Sequence, residues 1–201
     1  MKSRSILYLF AFTAMILVVG LACLSSAAPS QAPQPVSDTS SSSSNSASNS
    51  DLVTFTDQNK YYAIDLPGDW KHDQTVDKEN DYYYIDTFTS PDGNAIIENI
   101  AYDDGKPFTG GGNGKFALYL LNTFYSDTGK EGDIRVSDDS IQKDGSERLT
   151  WTSKGGGYSG FSYFEVRNKT SFLMFTVDWA NDHESDYIDV LDSVISSYRL
   201  P

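Results

Sequence analysis

Residues 82–102 read YYYIDTFTS, then PDGN, then AIIENIAY. Two β-rich runs flank Pro91-Asp92-Gly93-Asn94, a cluster that suits a turn and disrupts a strand. The spacing therefore predicts an antiparallel hairpin, with strands over Tyr82–Ser90 and Ala95–Tyr102. Downstream, four more strand-like runs cover 134–142, 148–153, 158–167 and 171–179. The second and third of these join through Lys154-Gly155-Gly156-Gly157, the third and fourth through Asn168-Lys169. Upstream, Thr54–Leu66 reads as another hairpin turning at Asp57-Gln58-Asn59, stopped by Pro67-Gly68-Asp69 just before Trp70. Two segments carry helical spacing instead. Lys115–Tyr125 places Phe116, Leu120, Leu121 and Phe124 on one face, and His183–Tyr198 does so with Ile188, Leu191, Ile195 and Tyr198. Asn181 or Asp182 is the expected cap of the second helix. Adjacent strands with few crossover helices predict an α+β fold, an antiparallel β-sheet flanked by helices as an α/β/α sandwich.

This pattern begins only at residue 51. Asp51–Pro201 is about the size of one domain, and a chain of that length needs neither disulfide nor metal to hold a core. With 13 Tyr and 11 Phe in the sequence, aromatics are expected to fill much of that core. The formal net charge of −13 repels phosphate backbones, so nucleic acid is not an expected partner. The same charge favours a soluble, monomeric domain.

Residues 1–24 have the parts of an export signal: Lys2 and Arg4, the apolar run Ile6–Leu24, and a small-residue exit. Three fates compete: cleavage after Ala28, an uncleaved N-terminal anchor, or lipidation of Cys23, the single cysteine of the chain. Gly20-Leu21-Ala22-Cys23 resembles the lipobox of bacterial and archaeal lipoproteins, which makes lipidation the preferred reading. All three fates place the domain outside the cytoplasmic membrane, at its outer face or the cell surface. Residues 25–50 hold 12 Ser and a single charge, Asp38, and are expected to form a disordered tether reaching about 25–30 Å.

Tyr62-Ala63-Ile64-Asp65-Leu66-Pro67-Gly68-Asp69-Trp70 resembles the opening pattern of PsbP-like and Mog1-like domains. The close of the chain, Val194-Ile195-Ser196-Ser197-Tyr198, is similar to that family's final helix. The resemblance implies the family's fold and a non-catalytic accessory role. It carries over no site residue.

Catalytic patterns are incomplete. Gly110–Lys115 opens a helix but departs from a phosphate loop, since Thr109 stands where its first glycine belongs and Phe116 follows the lysine. Only His72 and His183 offer imidazoles, and His183-Glu184 does not extend to a zinc motif because Tyr187 occupies the second histidine position. No cysteine lies within the domain, which excludes thiol nucleophiles and thiolate metal sites there. Acidic pairs and trios occur at Asp103-Asp104, at Asp138-Asp139 and at Asp186, Asp189 and Asp192. Of these, Asp103 and Asp104 are the candidate calcium ligands, although a solvated face is the commoner role of such clusters. No cofactor is otherwise expected.

Surface aromatics supply the remaining candidates. Tyr82, Tyr83 and Tyr84 are consecutive, so a strand turns them to opposite faces, where Tyr83 near Trp70 or Trp151 can serve a partner. Phe108 stands alone in the polar Gly-rich loop 103–114, either as a docking aromatic or as a plug folded back on the sheet. The expected function is a non-enzymatic, membrane-tethered domain that binds another extracytoplasmic protein or membrane complex. A glycan- or small-ligand-binding module is the alternative, and a cryptic hydrolase the third.

Overall fold

The computed structural model describes residues 51–109, 112–125 and 133–201. Cys23, the targeting segment 1–24, the tether 25–50, and Gly110 and Gly111 lie outside the described residues.

Strands β1 (Leu52–Thr56) and β2 (Ala63–Pro67) form the expected first hairpin, in register from Leu52 opposite Pro67 to Thr56 opposite Ala63. Its turn is built on Asp57, whose carboxylate accepts the backbone N–H groups of Asn59 and Tyr61, while Lys60 adopts φ 58°. The strand that follows, β3 (Lys71–Val76, KHDQTV), has no counterpart in the sequence reading. It is an exposed polar edge strand that pairs along one side only, with β4, so it shows no apolar periodicity. Next come β4 (Tyr83–Thr89) and β5 (Ala95–Tyr102), the hairpin predicted from 82–102. Helix α1 (Gly112–Tyr125) starts three residues before the expected Lys115. The remaining strands are β6 (Ile134–Ile141), β7 (Glu147–Ser153), β8 (Tyr158–Arg167) and β9 (Ser171–Ala180), with helix α2 (Glu184–Ser197) closing the chain. Asn168 and Lys169, at φ 52° and 70°, make the tight β8–β9 turn.

Strands β3 to β9 form one antiparallel sheet in the order β3-β4-β5-β9-β8-β7-β6. The last strand thus inserts between the two halves of the sheet, and Ser171 through Trp179 are all buried. Its residues alternate between two clusters, as a two-sided strand requires. Phe175, Val177 and Trp179 pack with Tyr62, Ile64 and Leu66 of the first hairpin and with Leu191 and Val194 of α2. Phe172 and Met174 pack with Leu120, Leu121 and Tyr125 of α1 and with Trp151 and Phe164.

Two other expectations change. Helix α2 is preceded by His183 at its cap position with no side-chain cap bond, because Asn181 is used across the sheet, accepting from the Ser159 hydroxyl at 2.7 Å. Glu184 and Asp186 in the first turn compensate the helix dipole instead. Trp70 and Trp151 are core residues, 9% and 1% exposed, so neither offers an aromatic surface.

Candidate functional site

A groove of about 330 Å³ opens where the β1–β2 turn overhangs the ends of β4, β5 and β9. Its floor follows from register. Tyr84 lies opposite Ala101 and Ala101 opposite Leu173, so three side chains form a row whose middle member is small. Gln58, Asn59 and Tyr61 form one wall, and Asp81 and Tyr82 lie on another side. Tyr83, Tyr102, Asp103 and Ser171 complete the lining.

Each wall is fixed by hydrogen bonds. The Tyr84 hydroxyl donates to Asp57 Oδ1 at 2.7 Å and accepts from Asn59 Nδ2 at 3.2 Å, tying the overhanging turn to β4. Arg167 donates to the Tyr61 carbonyl at 2.5 Å and pairs with Glu165. Asp77 accepts the backbone N–H groups of Glu79, Asn80 and Tyr82, which shapes the β3–β4 connection and leaves Tyr82 exposed. Asp103 accepts the Ser171 and Thr170 hydroxyls at 2.7 and 2.9 Å and the Gly105 N–H at 2.8 Å. The Ser171 hydroxyl leads the donors that hold the Asp103 carboxyl below its ordinary range. Burial raises the Tyr83 phenol, with the charges of Asp77 and Glu79 adding to it. Burial and then Asp104 push Tyr102 up to about 12. These two phenols are therefore neutral hydrogen-bond donors in an acidic surround.

Of the candidates read from sequence, Tyr83 and Asp103 both border this groove, but strand alternation turns the Tyr83 ring to the α1 side of the sheet. Asp104 turns to Lys106, accepting its backbone N–H at 3.0 Å and its ammonium at 2.6 Å. Burial alone would raise the Asp104 carboxyl, but these donors outweigh it and hold it low. Phe108 is folded back: its ring lies 5.5 Å from both Phe116 and Phe172 and edge-on to Tyr102, and its N–H donates to the Lys169 carbonyl. It adopts the plug arrangement rather than that of a docking side chain, because Phe172 and Phe116 offer it apolar cover. Trp70 packs in the other cluster against Tyr187. Tyr61, Tyr102 and Ser171 were not singled out from sequence, and only the recurrence of tyrosine at 61–62, 82–84 and 102 hints at them.

A second polar constellation joins a buried acid to a partly exposed one. The Tyr125 hydroxyl lies 2.6 Å from Glu98 Oε2 and 2.9 Å from Asp178 Oδ2, and Asp178 is wholly buried with Oδ1 unpartnered. A hydroxyl has one proton and cannot donate fully to two carboxylates. The phenol donates to one carboxylate, and the other can pair with the phenol oxygen only when it carries a proton of its own. Burial raises both carboxyls, and the neighbouring Glu98 charge raises Asp178 further. Each histidine also pairs with a carboxylate: His72 Nε2 with Asp86 and His183 Nδ1 with Asp186, both at 2.9 Å. Among the described residues no group of three or more His, Cys, Asp or Glu is placed to hold a metal ion. No helix among them is long and apolar enough to cross a membrane.

No family model and no curated protein matches the chain. Its structure is similar to the solution structure of cyanobacterial PsbP (CyanoP) from Synechocystis sp. PCC 6803. The TM-score is 0.53 at 15% identity, over 77% of this chain and 95% of that one. The fold is PsbP-like. At that identity the likeness concerns backbone arrangement, so the groove's side chains are interpreted from their own geometry.

Proposed function

We propose that this chain is a non-catalytic accessory domain, exported and held at the outer face of the membrane through lipid on Cys23. It binds another extracytoplasmic protein or membrane complex. In this reading α1 and α2 cover opposite faces of the sheet as an α/β/α sandwich, and the binding surface is the groove beside the β1–β2 turn. The observation that carries the proposal is the concentration of phenols there, Tyr61, Tyr82 and Tyr84, on a hydrogen-bonded frame. Tyrosine gives large contact area and a polar tip with little conformational freedom to lose, and it is over-represented where protein interfaces concentrate their energy. Stacking on sugar rings is favoured less, since the indoles of Trp70, Trp151 and Trp179 are all in the core.

The test is recovery of partners by the full-length chain from native membranes. Tyr82→Ser removes an exposed groove ring, and Ile141→Ser alters the far edge strand as a control. A protein retained by the parent and by Ile141→Ser, and lost with Tyr82→Ser, is the expected result. Equal recovery by all three would refute the groove as the binding surface.

A further inference from the structure

We propose that the groove recognises a cationic side chain, a lysine or arginine presented by a basic segment of the partner protein. This rests on the partner-binding reading and adds the chemistry of what enters. Asp81 and Asp103 line the groove, and no Lys or Arg is among the lining residues. Asp103 receives three donors from Gly105, Thr170 and Ser171, a setting that keeps its charge. Asp57, 2% exposed, sits directly behind the Tyr84 hydroxyl and places a further carboxylate under the floor. Tyrosine rings present a negative face, to which ammonium and guanidinium groups are attracted within about 6 Å.

The cations closest at hand are already engaged. Lys106 is held by Asp104, and Arg167 by Glu165 and the Tyr61 carbonyl. Lys60, Lys78 and Lys169, on the three turns around it, are exposed and lie outside its lining. At about 330 Å³ the groove is at the low end of the roughly 300–1,000 Å³ of small-molecule sites, which suits one side chain. The chain's net charge of −13 adds long-range attraction for a basic segment.

The experiment titrates the full-length chain, with ¹³C-labelled tyrosine rings, with tri-arginine, tri-lysine and tri-glutamate amides. The cationic peptides are expected to move the ring signals of Tyr82 and Tyr84, and tri-glutamate to leave them in place. Asp81→Asn removes one groove charge while keeping a residue that tolerates the φ of 59° found there. It is expected to weaken the cationic peptides about threefold, in line with loss of one exposed ion pair. Asp189→Asn, on the exposed face of α2, is expected to leave them unchanged. Ring signals unmoved by the cationic peptides, or moved equally by tri-glutamate, would overturn the proposal. So would equal weakening by Asp81→Asn and Asp189→Asn, which marks unspecific attraction to an acidic protein. Partner recovery that still depends on Tyr82 after such a result keeps the binding groove and discards only the cationic ligand.

Discussion

Replacing Asp178 by asparagine should flatten the pH dependence of stability and make the protein more stable than its parent in mild alkali. A single phenol proton lies between two carboxyls. Tyr125 bridges Glu98 and Asp178 at 2.6 and 2.9 Å, so the folded protein binds one proton there that the unfolded chain releases above the ordinary carboxylate range. Both carboxyls are raised by burial. A raised carboxyl contributes stability that is complete at low pH and lost as pH rises toward its folded value. With one extra proton bound in the native state, stability falls by at most about 1.4 kcal/mol per pH unit across that window. The carboxyls held low by hydrogen bonds, Asp77, Asp92, Asp103 and Asp104 among them, have the opposite sign. They are ionised in both states above about pH 5 and do not contribute there.

The substituted side chain in Asp178→Asn would copy the protonated acid: its amide donates to the phenol oxygen, the phenol donates to Glu98, and no proton need be bound. Denaturant unfolding of full-length parent and Asp178→Asn from pH 5 to 8.5 at fixed ionic strength measures this. Both proteins carry His72 and His183, so the difference between their slopes isolates the acid pair. The parent should lose stability with rising pH relative to the variant, and the two curves should separate most at the alkaline end. Parallel curves would refute the shared proton.

Phe108→Ala should lower unfolding stability by about 2–4 kcal/mol, since the ring closes over Phe116 and Phe172, and thermal denaturation will show it. An unchanged melting temperature would return Phe108 to the role of a docking side chain. Gly156→Ala should destabilise by at least the roughly 1–3 kcal/mol of overpacking, because a Cβ there would fall 1.8 Å from the Tyr125 carbonyl oxygen. Recovery of a parent-like melting temperature would mean that the β7–β8 turn moves freely from α1. Cys23→Ala should abolish labelling by a radioactive fatty acid and release the chain from membranes; equal mature mass without lipid in parent and variant would favour cleavage after Ala28 or a plain anchor.

The strands with alternating or continuous apolar patterns were legible, and so were both helices, because these elements are defined by side chains close in sequence. Strand β3 was not. KHDQTV carries nothing that favours burial, and it is a strand only because Lys71–Val76 pair residue by residue with Thr89–Tyr84. Trp70, readable after the turn Pro67-Gly68-Asp69 as a core or edge aromatic, is a core residue, and Tyr187, more than a hundred residues later, supplies its cover.

The same physics explains why the two polar constellations escaped the sequence while the fold did not. Glu98 in AIIENIAY and Asp178 in SFLMFTVDWA each look like an outward polar residue on a strand. Insertion of β9 beside β5, with α1 ending in Tyr125 above them, brings the two acids together and buries Asp178. That insertion also aligns Leu173 with Ala101 and Tyr84 to form the groove floor, and places Ser171 where its hydroxyl meets Asp103. A single topological choice, the last strand entering the middle of the sheet, thus produces both the Glu98–Tyr125–Asp178 contact and an open acidic groove. They differ in cover: Tyr125 of α1 lies over Asp178 and reaches Glu98, whereas at the ends of β4, β5 and β9 only a short turn overhangs the sheet. A buried acid beside a second carboxyl holds its proton to higher pH, so the first constellation acts on stability. Acids and phenols left in contact with water keep their charge and their faces, so the second is the one available to a partner.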